Sequence, residues 1–114
     1  MGKSEYEAAF SMSQRIIEHL LLIKHSPATN QRLHGCDEID DLRDGINRKL
    51  SPSIRRRLKR ELDTAFARAV RRVRREIERY GETQVAATLP AHCPYRLDQV
   101  VGAWLPENAS GNAG

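Results

Sequence analysis

The stretch "SPSIRRRLKRELDTAFARAVRRVRREIERYG", Ser51 to Gly81, decides the fold class. Ser51 can accept hydrogen bonds from the free N–H groups of a helix start. Pro52 suits the first helical position, because its φ is already helical and it has no N–H to satisfy. Ile54, Leu58, Leu62, Ala65, Phe66, Ala69, Val73, Ile77 and Tyr80 then recur at steps of three and four, the spacing of one apolar stripe on an α-helix. Gly81 stands where a left-handed C-cap is wanted. The pattern predicts a helix over residues 52–80, with any bend or break expected at the small residues Ala65 to Ala69.

Upstream, Ser4 and Glu7 have the form of a capping box, and Tyr6, Phe10, Ile16, Ile17, Leu20 and Ile23 follow near one stripe. These residues predict helix one over 4–25. "HSPATNQRLHG", residues 25–35, reads as a loop: the residue before Pro27 is pushed out of the helical region, and Asn30 and Gly35 continue the turn signal. Asp37, Glu38, Asp40 and Asp41 would then sit at the positive end of a second helix, whose stripe is Ile39, Leu42, Ile46 and Leu50. Gly45 inside it costs about 1 kcal/mol relative to Ala. Downstream, "GETQVAATLPAH", residues 81–92, reads as a connector, and Pro94 to Val100 as one or two helical turns stopped by Gly102. No strand alternation occurs. The expected architecture is all-α: a small bundle of three main helices with a short C-terminal helix and an aromatic and proline clasp. It forms a single helical domain over 1–107, and the polar residues 108–114 are expected to be disordered.

Length and composition agree with that outline. A chain of 114 residues holds one modest core, and with 39% apolar but only six aromatic residues that core must be aliphatic. The longest apolar run, "IIEHLLLI" (16–23), is far short of a membrane span and carries Glu18 and His19. The N-terminus lacks a signal-peptide pattern, which places the protein in the cytoplasm, with Cys36 and Cys93 as reduced thiols. Charge is uneven. Ser51 to Gly81 holds eleven basic residues against four acids, +7, so a net charge of +4 leaves −3 for the remainder.

The C-terminal "LPAHCPYRLDQVVGAWLPE", residues 89–107, resembles the end of the bacterial domain of unknown function 29 family, matched at Pro90, Cys93, Pro94, Tyr95, Leu97, Gln99, Val100, Trp104, Leu105 and Pro106. "EHLLLIKHSP" (18–27) is similar to the family's His-Leu-Leu-Lys helix, at His19, Leu20, Leu21, Lys24 and Pro27. "INRKLSPSIRRRL" (46–58) is similar to its Ser-Pro-Ser run, at Ile46, Leu50, Ser51, Pro52, Ser53 and Leu58. The resemblance implies an all-helical fold without an established activity. Two departures stand out: Gly35-Cys36 lies where the family carries a tryptophan, and "YEAAF" (6–10) runs quickly into the later pattern, like a shortened member with an internal deletion. Helix one would then be left partly uncovered, so a homodimer, or contact with another protein, is expected through helix one and the N-terminal half of helix three.

Cys93, Pro94, Tyr95, Leu97 and Trp104 are read as a structural clasp, with Tyr95 and Trp104 buried to close a core short of aromatics. Truncating a core Trp104 would cost about 3–5 kcal/mol. Catalytic readings find no residue set: His34, Cys36, His92 and Cys93 could supply four zinc ligands, but the adjacent His92 and Cys93 side chains diverge. No base singles out either thiol, His19 reads as a core-edge residue, and no phosphate-binding glycine loop occurs. A non-enzymatic protein without cofactor or metal is expected. The feature with functional pull is the set Arg56, Lys59, Arg60, Arg71, Arg74, Arg75 and Arg79, able to track phosphates and suggesting, as the alternative to a protein-interaction or structural module, weak sequence-independent nucleic-acid binding. No aromatic interleaves with these cations for base stacking.

Overall fold

Three long helices form the body in a computed structural model that describes residues 2–25 and 29–106, with side chains for 5–25 and 35–106. They are α1 (Gly2–His25), α2 (Thr29–Asn47) and α3 (Pro52–Arg79), followed by the single-turn helices α4 (Thr83–Ala87) and α5 (Leu97–Val101). No strand occurs among the described residues. The expected tail at 108–114 lies outside them.

Helix α3 forms where its punctuation places it. Ser51 is extended (φ −72°, ψ 162°), and its Oγ accepts from the Ile54 N–H at 3.3 Å, with Pro52 in the first turn. At the other end Gly81 takes φ +79°, its N–H donates to Glu78 O at 3.0 Å, and Glu82 N–H reaches back to Ile77 O at 3.2 Å. Those two bonds satisfy carbonyls that the helix end would otherwise leave bare, and only glycine enters that conformation without a Cβ penalty. The helix runs unbroken through Ala65 to Ala69. Its 28 residues, at 1.5 Å rise, match the 42 Å long axis of the molecule.

Helix α1 is the central element, packed against α2 on one flank and α3 on the other, while α2 and α3 scarcely meet. That position explains its wide buried stripe: Ala9, Ser13, Ile16, Ile17, Leu20, Leu21 and Ile23 are all fully buried. Here the structure corrects several expectations. Helix α1 begins at Gly2, so Ser4 lies within it rather than capping it. Helix α2 begins at Thr29, not near Asp37, and its first turn contains no acid. Gly35, read locally as a loop residue, is buried inside α2, where a Cβ would lie 3.4 Å from Ile23 and 3.7 Å from His19. A glycine there lets α2 close on α1, and the packing outweighs its local cost. Among the described residues the α1 stripe is buried between α2 and α3, whereas the homodimer expectation had that face partly uncovered. The connector after Gly81 also contains α4, with Ala86 buried.

The clasp is partly as expected. Helix α5 packs on α1, α2 and α3 together, with Leu97, Val100 and Val101 buried. Tyr95 is buried edge-on to Phe66, ring centroids 6.3 Å apart. Cys93 is half-buried, and its thiol points to Tyr95 O at 3.5 Å; Pro94 is exposed. Trp104 departs from expectation: it is 37% exposed, resting on Tyr95 at 5.8 Å rather than entering the core.

Candidate docking face on the third helix

Apart from Arg55 in the first turn, the exposed cations of α3 fall into two groups that the sequence does not separate. One group faces α1. Arg57 places its guanidinium 3.8 Å from the centre of the Tyr6 ring and 3.6 Å from Glu61; Arg68 covers Phe10 at 5.2 Å; Arg72 lies 3.9 Å from Glu18. Tyr6 donates its hydroxyl hydrogen bond to Glu61 and stands 6.1 Å from Phe10. Burial, then the Glu61 hydrogen bond and charge, push the Tyr6 phenol up to about 12. These arginines are spent on fastening α3 to α1.

The second group contains the residues singled out for an anionic partner. Arg56, Lys59, Arg60, Arg71, Arg74, Arg75 and Arg79 are all exposed, and among the described residues none is in an ion pair. Helical geometry brings four of them into one row: from Arg56, steps of four, three, four, four and three pass through Arg60, Asp63, Ala67 and Arg71 to Arg74. Arg75 adjoins that row, whereas Lys59 and Arg79 lie to either side of it. The row therefore has a cationic pair at each end and a short, non-cationic middle. At 1.5 Å per residue the inner arginines, Arg60 and Arg71, are about 16 Å apart along the axis.

A second concave feature lies beside the clasp. Lys24 and His25 from the end of α1, with Pro90, Tyr95, Trp104 and Pro106, border an open cleft of about 520 Å³. Burial, reinforced by Lys24, lowers the His25 imidazole from its ordinary value. The floor of the cleft is held by a residue that the sequence reading missed. Arg43 is only 7% exposed, donating from Nε to Val100 O at 2.8 Å and from Nη2 to Gln99 O at 2.8 Å and Trp104 O at 2.7 Å. Asn47 Nδ2 adds a bond to Val101 O at 3.0 Å. The signal was available: Arg43 interrupts the apolar register of Ile39, Leu42 and Ile46.

No group of three or more metal-binding side chains occurs among the described residues, and the His34 side chain lies outside them. Burial raises both the Cys36 and Cys93 thiols, the direction opposite to that of an activated nucleophile. Among the described residues no helix is long and apolar enough to cross a membrane. A family model described as "Domain of unknown function DUF29" matches residues 1–105. Neither the curated proteins nor the solved structures give a match.

Proposed function

From the premise that the chain belongs to the DUF29 family, we propose that it is a non-enzymatic docking module that engages an anionic macromolecule through the exposed flank of α3. One observation carries the reading. Arg57, Arg68 and Arg72 are held by α1, while Arg56, Arg60, Arg71 and Arg74 form an exposed row without an ion pair among the described residues, Arg60 alone of the four also acting electrostatically on Tyr6 of α1. Solubility asks only for charge somewhere on a helix face; it does not ask for four arginines gathered in pairs at the two ends of one row.

The test is retention on immobilised heparin as a generic polyanion. The wild type is expected to elute only with added salt, and a variant with Arg56, Arg60, Arg71 and Arg74 changed to Glu to pass straight through while keeping its helical circular dichroism. Elution of the wild type together with that variant overturns the reading.

Self-association is a second reading, favoured by one observation. Asp37, Asp40, Asp41 and Asp44 recur at helical spacing on the exposed side of α2, a row opposite in sign to that of α3. A homodimer of that kind dissociates as salt is raised. Light scattering that gives a monomer at low salt excludes it.

A further inference from the structure

Resting on that docking reading, we infer that the partner is double-stranded nucleic acid, gripped by its phosphate backbone on both sides of one groove without readout of the bases.

The argument begins with the order of residues along the row. Arg56 and Arg60 at one end, and Arg71 and Arg74 at the other, flank Asp63 and Ala67. A ligand with evenly spread negative charge would leave Asp63 facing an anion in the middle of the contact. A duplex groove does not, because its phosphates lie along the two margins and base edges lie between. The major groove of B-form DNA is about 12 Å wide. An axial separation of about 16 Å between Arg60 and Arg71, with flexible arms at both ends, sets one arginine pair over each margin. Guanidinium groups suit this contact, since their planar fork of donors matches phosphate oxygens two at a time.

The same row disfavours the other anionic partners. Single strands are held by stacking their bases on aromatic rings. Among the described residues the exposed large apolar side chains are Tyr80 and Trp104, and neither belongs to the row. Protein interfaces are centred on desolvated apolar or aromatic anchors inside a polar rim. The middle of this row offers only Ala67 beside Asp63 and Thr64. The middle offers only the short side chains of Asp63, Thr64 and Ala67, without the bidentate Arg, Asn or Gln forks that discriminate bases most strongly, so the contact is carried by phosphates and is indifferent to sequence. Rigidity is supplied by the fold: α3 is unbroken from Pro52 to Arg79, and Arg57, Arg68 and Arg72 anchor its other flank to α1.

Fluorescence anisotropy at a series of salt concentrations tests this with three labelled probes: a mixed-sequence DNA duplex, one of its strands alone, and poly-glutamate. Duplex binding is expected to be indifferent to sequence and at least about tenfold tighter than binding of the single strand. Its log–log salt slope should be about −3.6, for four phosphates released from their counterions. Replacing Arg60 and Arg71 together by Ala should reduce that slope by about half. Replacing Arg68, on the α1 flank, by Ala should leave the slope unchanged. Poly-glutamate or the single strand bound as tightly as the duplex, with the loss still tracking the row, overturns the duplex inference and leaves the docking reading standing. Absence of binding to all three probes and to heparin at low salt overturns both. A normal slope in the Arg60→Ala/Arg71→Ala protein shows that the duplex binds elsewhere and overturns the inference for this row.

Discussion

Arg43 and Val100 are 57 residues apart in sequence, and the Arg43 Nε lies 2.8 Å from the Val100 carbonyl oxygen. One guanidinium on α2 closes three carbonyls of the C-terminal segment, at Gln99, Val100 and Trp104. Those carbonyls belong to α5 and the residues beyond it, where a short helix cannot satisfy its own acceptors. Burial pulls the guanidinium below its ordinary value, with Asp40 opposing, yet an arginine in such a setting stays charged. The clasp is thus fastened by a buried cation rather than by its tryptophan.

Arg43→Met should cost about 3 kcal/mol or more, because it leaves buried carbonyls unpaired as well as removing charge-assisted bonds. Arg43→Lys should recover little of it, since one ammonium cannot reach three divergent acceptors with the geometry of the fork. Urea denaturation of both variants is the measurement. A lysine variant as stable as wild type contradicts the assignment.

Tyr6 and Tyr95 predict a loss of stability in strong alkali. Both phenols are pushed up to about 12 from the ordinary 10.0, Tyr6 chiefly by burial and then by Glu61, Tyr95 chiefly by burial. The folded state holds these protons more tightly than the unfolded chain. Their contribution is therefore complete below pH 10 and disappears as pH rises toward 12. The urea midpoint should begin to fall above the ordinary tyrosine range, and Tyr6→Phe should weaken that fall. Phenolate absorbance followed during alkaline titration reports the same groups directly.

Within the clasp, Tyr95→Ala should cost about 3–5 kcal/mol and Trp104→Ala only about 1 kcal/mol. The first side chain is buried against Phe66, whereas the second covers Tyr95 from outside. Acrylamide should quench Trp104 to an intermediate degree. Equal losses from the two substitutions would refute the edge placement of Trp104.

Two glycines should respond in opposite directions to alanine. At Gly45 a Cβ meets only the Sδ and Cε of Met12, both at 3.4 Å and at the end of a flexible side chain. Gly45→Ala should stabilise the protein by about 0.5–1 kcal/mol, the usual gain inside a helix. Gly81 holds φ +79°, and Gly81→Ala should cost about 1–2 kcal/mol. Thermal melts of the two variants check both signs.

The sequence alone determined what depends on neighbours along the chain. Helix α3 is legible from Ser51-Pro52 to Gly81 because its cap, stripe and stop act within a few residues of one another; the short C-terminal helix was legible in its stop at Gly102 but not in its start, since α5 begins at Leu97 behind Arg96 rather than at Pro94. Tertiary structure decided what depends on distant partners. Gly35 reads as a turn until Ile23 and His19 are seen packed over it, which moves the start of α2 back to Thr29. Arg43 sits on the apolar register of α2, but only the convergence of the carbonyls of residues 99, 100 and 104 on it gives that position a role. Trp104 reads as core because it is large and apolar, but in the fold it rests on Tyr95 at the edge and stays 37% exposed. The arginines of α3 look alike in sequence; only the placement of Tyr6, Phe10 and Glu18 on α1 divides those that fasten the bundle from those that remain exposed.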